Sequence, residues 1–190
     1  MKRIIVGISG ASGPQYGIRL LEVLKEIEDV ETHLVISEAA KRNIQLESDW
    51  EVERVERLAD VLHDSTDLAA SISSGSFRTE GMVIAPCSVK TLSGLANSFT
   101  TNLLIRAGDV TLKERRKLVI VFRETPLHLG HLRLMTHITE IGATILPPVT
   151  SFYHRPKTIQ DIIDQVIGKV LDQFCLDHQL FRRWKGPDGR

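Results

Sequence analysis

The chain has 190 residues, with 24 Lys and Arg against 24 Asp and Glu, 42% hydrophobic residues and 25% charged ones. That length carries one domain with a real core, and the composition is that of an ordinary soluble globular protein. The balanced charge argues against a nucleic-acid protein working through a broad basic face, while a local anion site stays open.

The N-terminus does not read as a signal peptide, because its apolar run is short and leads directly into a glycine-rich loop. No uninterrupted apolar stretch approaches about 20 residues, so no membrane span is expected. The two cysteines, Cys87 and Cys175, make no disulfide framework, and a reducing cytoplasm fits best.

A first strand covers about Arg3 to Ile8. It ends in Gly10-Ala11-Ser12-Gly13, and a helical pattern follows through Ile18, Leu20, Leu21, Leu24 and Ile27. This is the build of a βα phosphate-binding turn: glycines permit tight angles, Ser12 adds a hydroxyl, and the helix start offers N–H groups to an anion. The spacing Gly7-x-x-Gly10-x-x-Gly13 is not the dinucleotide fingerprint G-x-G-x-x-G. A tight turn into a packed helix is the plainer alternative.

Glu31 to Ile36 reads as a second strand, and Ser37 as the cap of a helix reaching about Glu47. A further helix is expected around Val52 to Leu62. Residues 65–76 read as an irregular segment, either a surface loop or a flap over a site. Gly81 to Pro86 is a buried strand that breaks into Cys87-Ser88-Val89-Lys90-Thr91 and a helix with Leu92, Leu95 and Ala96. A helix from about Asn102 to Arg115 leads to a strand at Lys117 to Phe122. Then come Arg123-Glu124-Thr125-Pro126, a helix from about Leu129 to Ile141, a short strand at Ala143 to Leu146, and a loop with Tyr153.

The last helix has the clearest pattern. Ile159, Ile162, Ile163, Val166, Ile167, Val170, Leu171 and Phe174 form a wide apolar stripe. Lys169 follows Ile162 by seven residues, so it points only about 20° away from it, at the edge of that stripe.

Strands alternate with helices without an internal repeat or linker. The expected fold is α/β: a Rossmann-like or flavodoxin-like open, mainly parallel sheet with helices on both faces. Residues 1–190 then form a single domain, with 175–190 as a C-terminal tail. Right-handed crossovers put all strand C-terminal ends on one edge, where ligands of such sheets bind.

That edge collects Ser9 to Gly13, Ser37, Cys87 to Thr91, Arg123-Glu124 and the Tyr153 loop. Hydroxyls, backbone donors and one arginine suit a phosphorylated ligand with a flat aromatic part. Arg123 can hold a phosphate with two parallel contacts. Glu124 can exchange a proton if partial burial raises its pKa; a structural ion pair with Arg123 is the alternative. His128 and His131 lack a third ligand at metal-site spacing. Cys87 reads as a small buried residue rather than a nucleophile, and the basic run Lys113 to Lys117 as a solvated helix end.

Together, Gly-Ala-Ser-Gly at 10–13, Cys-Ser-Val-Lys-Thr-Leu at 87–92, Leu-Lys-Glu-Arg-Arg at 112–116, Arg-Glu-Thr-Pro-Leu at 123–127 and Phe-Tyr-His-Arg-Pro at 152–156 resemble the UbiX-type flavin prenyltransferases. The segment Ile72 to Phe77 resembles the branch linked with phenolic-acid decarboxylation. The resemblance implies transfer of a dimethylallyl group, usually from dimethylallyl monophosphate, to reduced FMN without a metal. The product, prenylated FMN, would serve a UbiD-type decarboxylase. It implies that Gly10, Ala11, Ser12, Ser37, Ser88, Val89, Lys90, Thr91 and Arg123 contact FMN. Tyr153 and Lys169 would hold the donor phosphate, helped by Lys113 and Arg123 from the same or a neighbouring subunit. Glu124 would act in proton transfer, Glu47 matches another acidic active-site position, and Trp184 matches a tail aromatic that covers the site. Dodecamers are the implied assembly.

Three positions depart from the family pattern: Pro14 replaces a small residue, Phe122 a proline, and Lys169 an arginine. The last keeps the charge but loses the two-pronged geometry. Two other readings stay open: an FMN-dependent decarboxylase like the homo-oligomeric cysteine decarboxylases, and an FMN carrier that would not need Glu124.

Overall fold

A computed structural model describes residues 1–186; residues 187–190 of the expected tail lie outside the described residues. The strands are β1 (Lys2–Ile8), β2 (Val30–Ile36), β3 (Val61–His63), β4 (Gly81–Cys87), β5 (Lys117–Phe122) and β6 (Thr144–Ile145). The helices are α1 (Gln15–Lys25), α2 (Glu38–Glu47), α3 (Val52–Glu56), α4 (Val89–Ala96), α5 (Leu103–Lys113), α6 (Leu129–Glu140) and α7 (Ile159–Gln173).

The strands form one sheet in the order β3-β2-β1-β4-β5-β6, and every neighbouring pair is parallel. Parallel strands buried on both faces require apolar residues at nearly every position. β1 shows the consequence: Ile4, Val6 and Ile8 enter one core with α1, α2, α3 and α7, whereas Ile5 faces the other with α4, α5 and α6. β4 is buried at every residue.

The helix expected over 52–62 is a correction. The chain is helical only at Val52–Glu56 and then forms β3. Asp60 receives both the N–H of Thr32 at 2.7 Å and its hydroxyl at 2.9 Å, and the Asp60 N–H returns to Thr32 Oγ1 at 3.0 Å. This clamp draws the chain out of the helix and onto the sheet edge. There His33 Nδ1 meets His63 Nε2 at 2.9 Å, and His33 Nε2 donates to Glu31 at 2.7 Å.

The segment 65–76 is no free flap. The Leu103 N–H bonds the Ser65 carbonyl, Arg106 holds that of Ser73, and Arg116 holds those of Gly75 and Phe77. Ile72 is buried beneath it.

Among the described residues, no helix is long and apolar enough to cross a membrane.

Candidate functional site

Beyond the strand C-termini lies a cavity of about 560 Å³ lined by residues of β1–α1, β2–α2, β4–α4, α5 and β5. It brings together Gly10, Ala11, Ser12, Ser37, Ser88, Val89, Lys90, Thr91, Arg123 and Glu124.

Three helices begin at this cavity, each with a polar cap. Ser37 accepts from the Ala40 N–H at 3.2 Å, Ser88 from the Thr91 N–H at 3.3 Å, and Asn102 from the Ile105 N–H at 2.9 Å. Each cap satisfies one donor of its first turn, which leaves further N–H groups and the positive dipole end available to an anion. Ser9 fixes two of these elements together. Its buried hydroxyl donates to the Pro86 carbonyl at 3.0 Å and accepts from the Ser88 N–H at 2.8 Å, locking the end of β1 to the start of α4.

The first loop differs from the open phosphate turn its sequence suggests. Ser12 Oγ donates to Glu47 at 2.9 Å, and the Gly13 N–H donates to the same carboxylate oxygen at 2.8 Å. Glu47 therefore does not line the cavity but engages the loop donors that an anion would otherwise use. Gly10 has a packing reason: a Cβ there would lie 2.5 Å from the Ala39 Cβ. Only a glycine lets the start of α2 close against this loop.

Arg123 is exposed and Glu124 half-buried. Among the described residues they form no ion pair with each other. The Thr125 N–H donates to Glu124 Oε1 at 2.9 Å, holding the carboxylate at the end of β5. Burial raises the pKa of the Tyr16 phenol, and the nearby positive charge of Arg123 opposes that shift. Burial in the core drives the Cys87 thiol far above its ordinary pKa, so it is an inert packing residue rather than a nucleophile. His128 and His131 stack with centroids 3.6 Å apart. His128 accepts from the Gly130 N–H as the α6 cap, and no acidic, His or Cys cluster suited to a metal exists among the described residues.

The residues fit FMN. The helix starts and Arg123 supply donors for a phosphate, and Gly10, Ala11 and Ala39 leave room for a flat ring system. A flavoprotein family model matches residues 1–171. A curated flavin prenyltransferase UbiX from Escherichia coli strain K12 is 62% identical over 188 residues, covering 98% of this chain and all of that protein. The chain belongs to the UbiX-type flavin prenyltransferase family. Two solved structures agree with this UbiX-type fold, each with a TM-score of 0.95 and 48% identity over 97% of this chain. One, matched over its full length, is described as a dodecameric FMN-dependent UbiX-like decarboxylase from Escherichia coli O157:H7. The other, AnUbiX in complex with FMN and dimethylallyl pyrophosphate, is matched over 98% of its chain.

Within one chain of this UbiX-type protein, Lys113, Tyr153, Lys169 and Trp184 do not line the cavity. Lys113 ends α5 near the start of β5, and pairs with Glu114. The end of α7 lies at that same edge, because Lys117 at the start of β5 bonds the Gln173 carbonyl. Lys169 is exposed and lies 3.7 Å from Asp172. Tyr153 meets Trp184 edge-on, with centroids 6.2 Å apart. Sequence reasoning missed Glu38, Ala39, Ser65, Asn102 and Ile105 as cavity residues. Asn102 had a usable signal, since Asn before an apolar helical run marks a helix start.

Proposed function

We propose that this chain transfers a dimethylallyl group from dimethylallyl monophosphate to reduced FMN, making prenylated FMN for a UbiD-type decarboxylase. The observation that carries this reading is the convergence of three capped helix starts with Arg123 and Glu124 on one cavity.

Gly10, Ala11, Ser12, Ser37, Ser88, Val89, Lys90, Thr91 and Arg123 hold the flavin nucleotide. Its phosphate takes the N–H groups of the helix starts and the fork of Arg123. Reduced FMN supplies the nucleophilic ring atoms that accept the prenyl group. When the allylic C–O bond breaks, charge collects on the departing phosphate. Tyr153, Lys169, Lys113 and Trp184 bind that end of the donor, with cations placed where the charge develops. Glu124 moves a proton between the acceptor and the released phosphate, and Glu47 orients Ser12 from behind.

The donor-binding residues stand off the cavity of their own chain, which supports sites completed between copies in a homo-oligomer; the E. coli relative is described as dodecameric. The two free cysteines support a cytoplasmic location. The cationic set around a second phosphate favours prenyl transfer over an FMN-dependent decarboxylase or a carrier.

The test is an anaerobic mixture of the protein, reduced FMN and dimethylallyl monophosphate, with the flavin mass measured afterwards. A gain of one prenyl unit is expected. An unchanged flavin, with both ligands shown to be bound, overturns the reading.

A further inference from the structure

The last turn of α7 and the tail after it are joined through one carboxylate that the prenyl-transfer roles leave unused. α7 ends in a reversal: the Leu176 N–H bonds the Leu171 carbonyl and the Cys175 N–H that of Asp172, with Cys175 left-handed at φ 52°. This is the paired C-terminal bond pattern that usually takes glycine. It turns the chain back along the helix it has just left.

The returning tail seats on Gly168. A Cβ there would come within 2.4 Å of the Phe181 ring and 2.6 Å of the His178 ring, so the seat exists only because that helix position has no side chain. Asp172 then gathers the charged groups. Arg183 meets it with a two-pronged contact, Nη2 to Oδ1 at 2.7 Å and Nη1 to Oδ2 at 3.1 Å. His178 Nδ1 accepts from the Leu180 N–H at 3.3 Å. Its Nε2 lies 3.2 Å from Asp172 Oδ1 and 3.1 Å from Arg183 Nη2. Lys169 lies on the other oxygen at 3.7 Å. The residue after Arg183 is Trp184, edge-on to Tyr153.

We infer that Asp172 is a positioning residue for the donor side of the site: it orients Lys169 and ties down the tail that carries Trp184 to Tyr153. The inference rests on the prenyl-transfer reading, in which Lys169, Tyr153 and Trp184 hold the donor. Without the carboxylate, Lys169 and Arg183 lose the counterion they share, and only the more distant charge of Asp177 still acts on Arg183. The two-pronged bond that fixes Arg183 is also lost. The flavin cavity shares no lining residue with this cluster, so the effect falls on one substrate only.

The experiment uses Asp172→Asn in the full-length protein with Trp50→Phe, so that emission reports Trp184 alone. The expected result is Trp184 emission of lower anisotropy, as the ring is freed from Tyr153, and a KM for dimethylallyl monophosphate raised about tenfold or more, with FMN affinity within about twofold. Asp172→Glu restores part of both signals. Should Asp172→Asn fail to fold, Arg183→Met removes the same contact from the exposed side and is expected to give the same pair of changes. Unchanged anisotropy, or lowered anisotropy with an unchanged donor KM, overturns the inference. Absence of transfer by the unsubstituted protein overturns the reading and the inference together, whereas transfer indifferent to Asp172 overturns the inference alone.

Discussion

The two ends of the sheet are built from different materials. At the strand C-termini, the cavity is made of backbone: three helix starts, their short polar caps, and glycine or alanine where chains approach. At the other end, by the last turn of α7, the side chains of Lys169, Arg183 and His178 gather around one carboxylate. Backbone donors are fixed by the fold and cost little to order when a ligand arrives. Long exposed side chains keep their rotamer freedom unless something holds them, and isolated surface ion pairs contribute little. The first end therefore binds through architecture, and the second depends on individual contacts.

Substitutions can break this contrast. The largest expected effect is at the cavity side chain to which the proton transfer is assigned. Glu124→Gln keeps FMN binding within a few-fold but lowers turnover by about 10²–10⁴-fold, read by single-turnover flavin mass analysis. Persistence of turnover would assign the proton transfer elsewhere. Next is the backbone test. Gly10→Ala drives a Cβ against Ala39 at 2.5 Å, and overpacking of that kind costs about 1–3 kcal/mol. Urea unfolding should show that loss, together with FMN affinity weaker by about tenfold.

The matching change at the other end sharpens the contrast, because it should uncouple stability from order. Gly168→Ala places a methyl in the Phe181 seat but also replaces a helix glycine, a gain of up to about 1 kcal/mol. The urea midpoint should hold or rise while limited proteolysis of the tail speeds up. A protein as resistant as the parent would mean that the tail does not rest there.

The smallest effect concerns pH and the edge strand. Burial, then the neighbouring His33, lowers the pKa of His63 below its ordinary 6.5. The folded state thus binds a proton less readily than the unfolded chain. Its contribution is complete above pH 6.5 and is lost as pH falls through that value toward the lowered one. Protection factors at Val61–His63, with the intrinsic pH dependence of exchange divided out, should fall a few-fold below pH 6.5, while those in β1 and β4 hold.

The fold was largely legible because a parallel sheet writes its strands as continuous apolar runs: Ile4-Ile5-Val6 and Leu118-Val119-Ile120-Val121 admit few other readings. β3 was not, because Val52, Val55, Leu58 and Leu62 keep helical spacing straight through it. The residue that breaks the pattern, Asp60, does so through Thr32, 28 residues away. In the cavity, the strand-end hydroxyls and Arg123-Glu124 were legible from topology alone. Ser65 was not, since its place depends on the Leu103 N–H. Nor was the engagement of Ser12 and Gly13 by Glu47, which sequence reads as three independent polar groups. The tail was least legible: Cys175 stands where glycine would have announced the reversal.

The two outermost strands are only three and two residues long. A strand that short offers almost no free N–H and C=O row for another chain to pair with, a common protection against runaway sheet growth. Strand pairing is therefore a poor route for copies of this chain to meet, and α6 presents Leu129 and Leu132 outward. An assembly built on side-chain surfaces can close on itself, whereas a strand ladder could be extended without end.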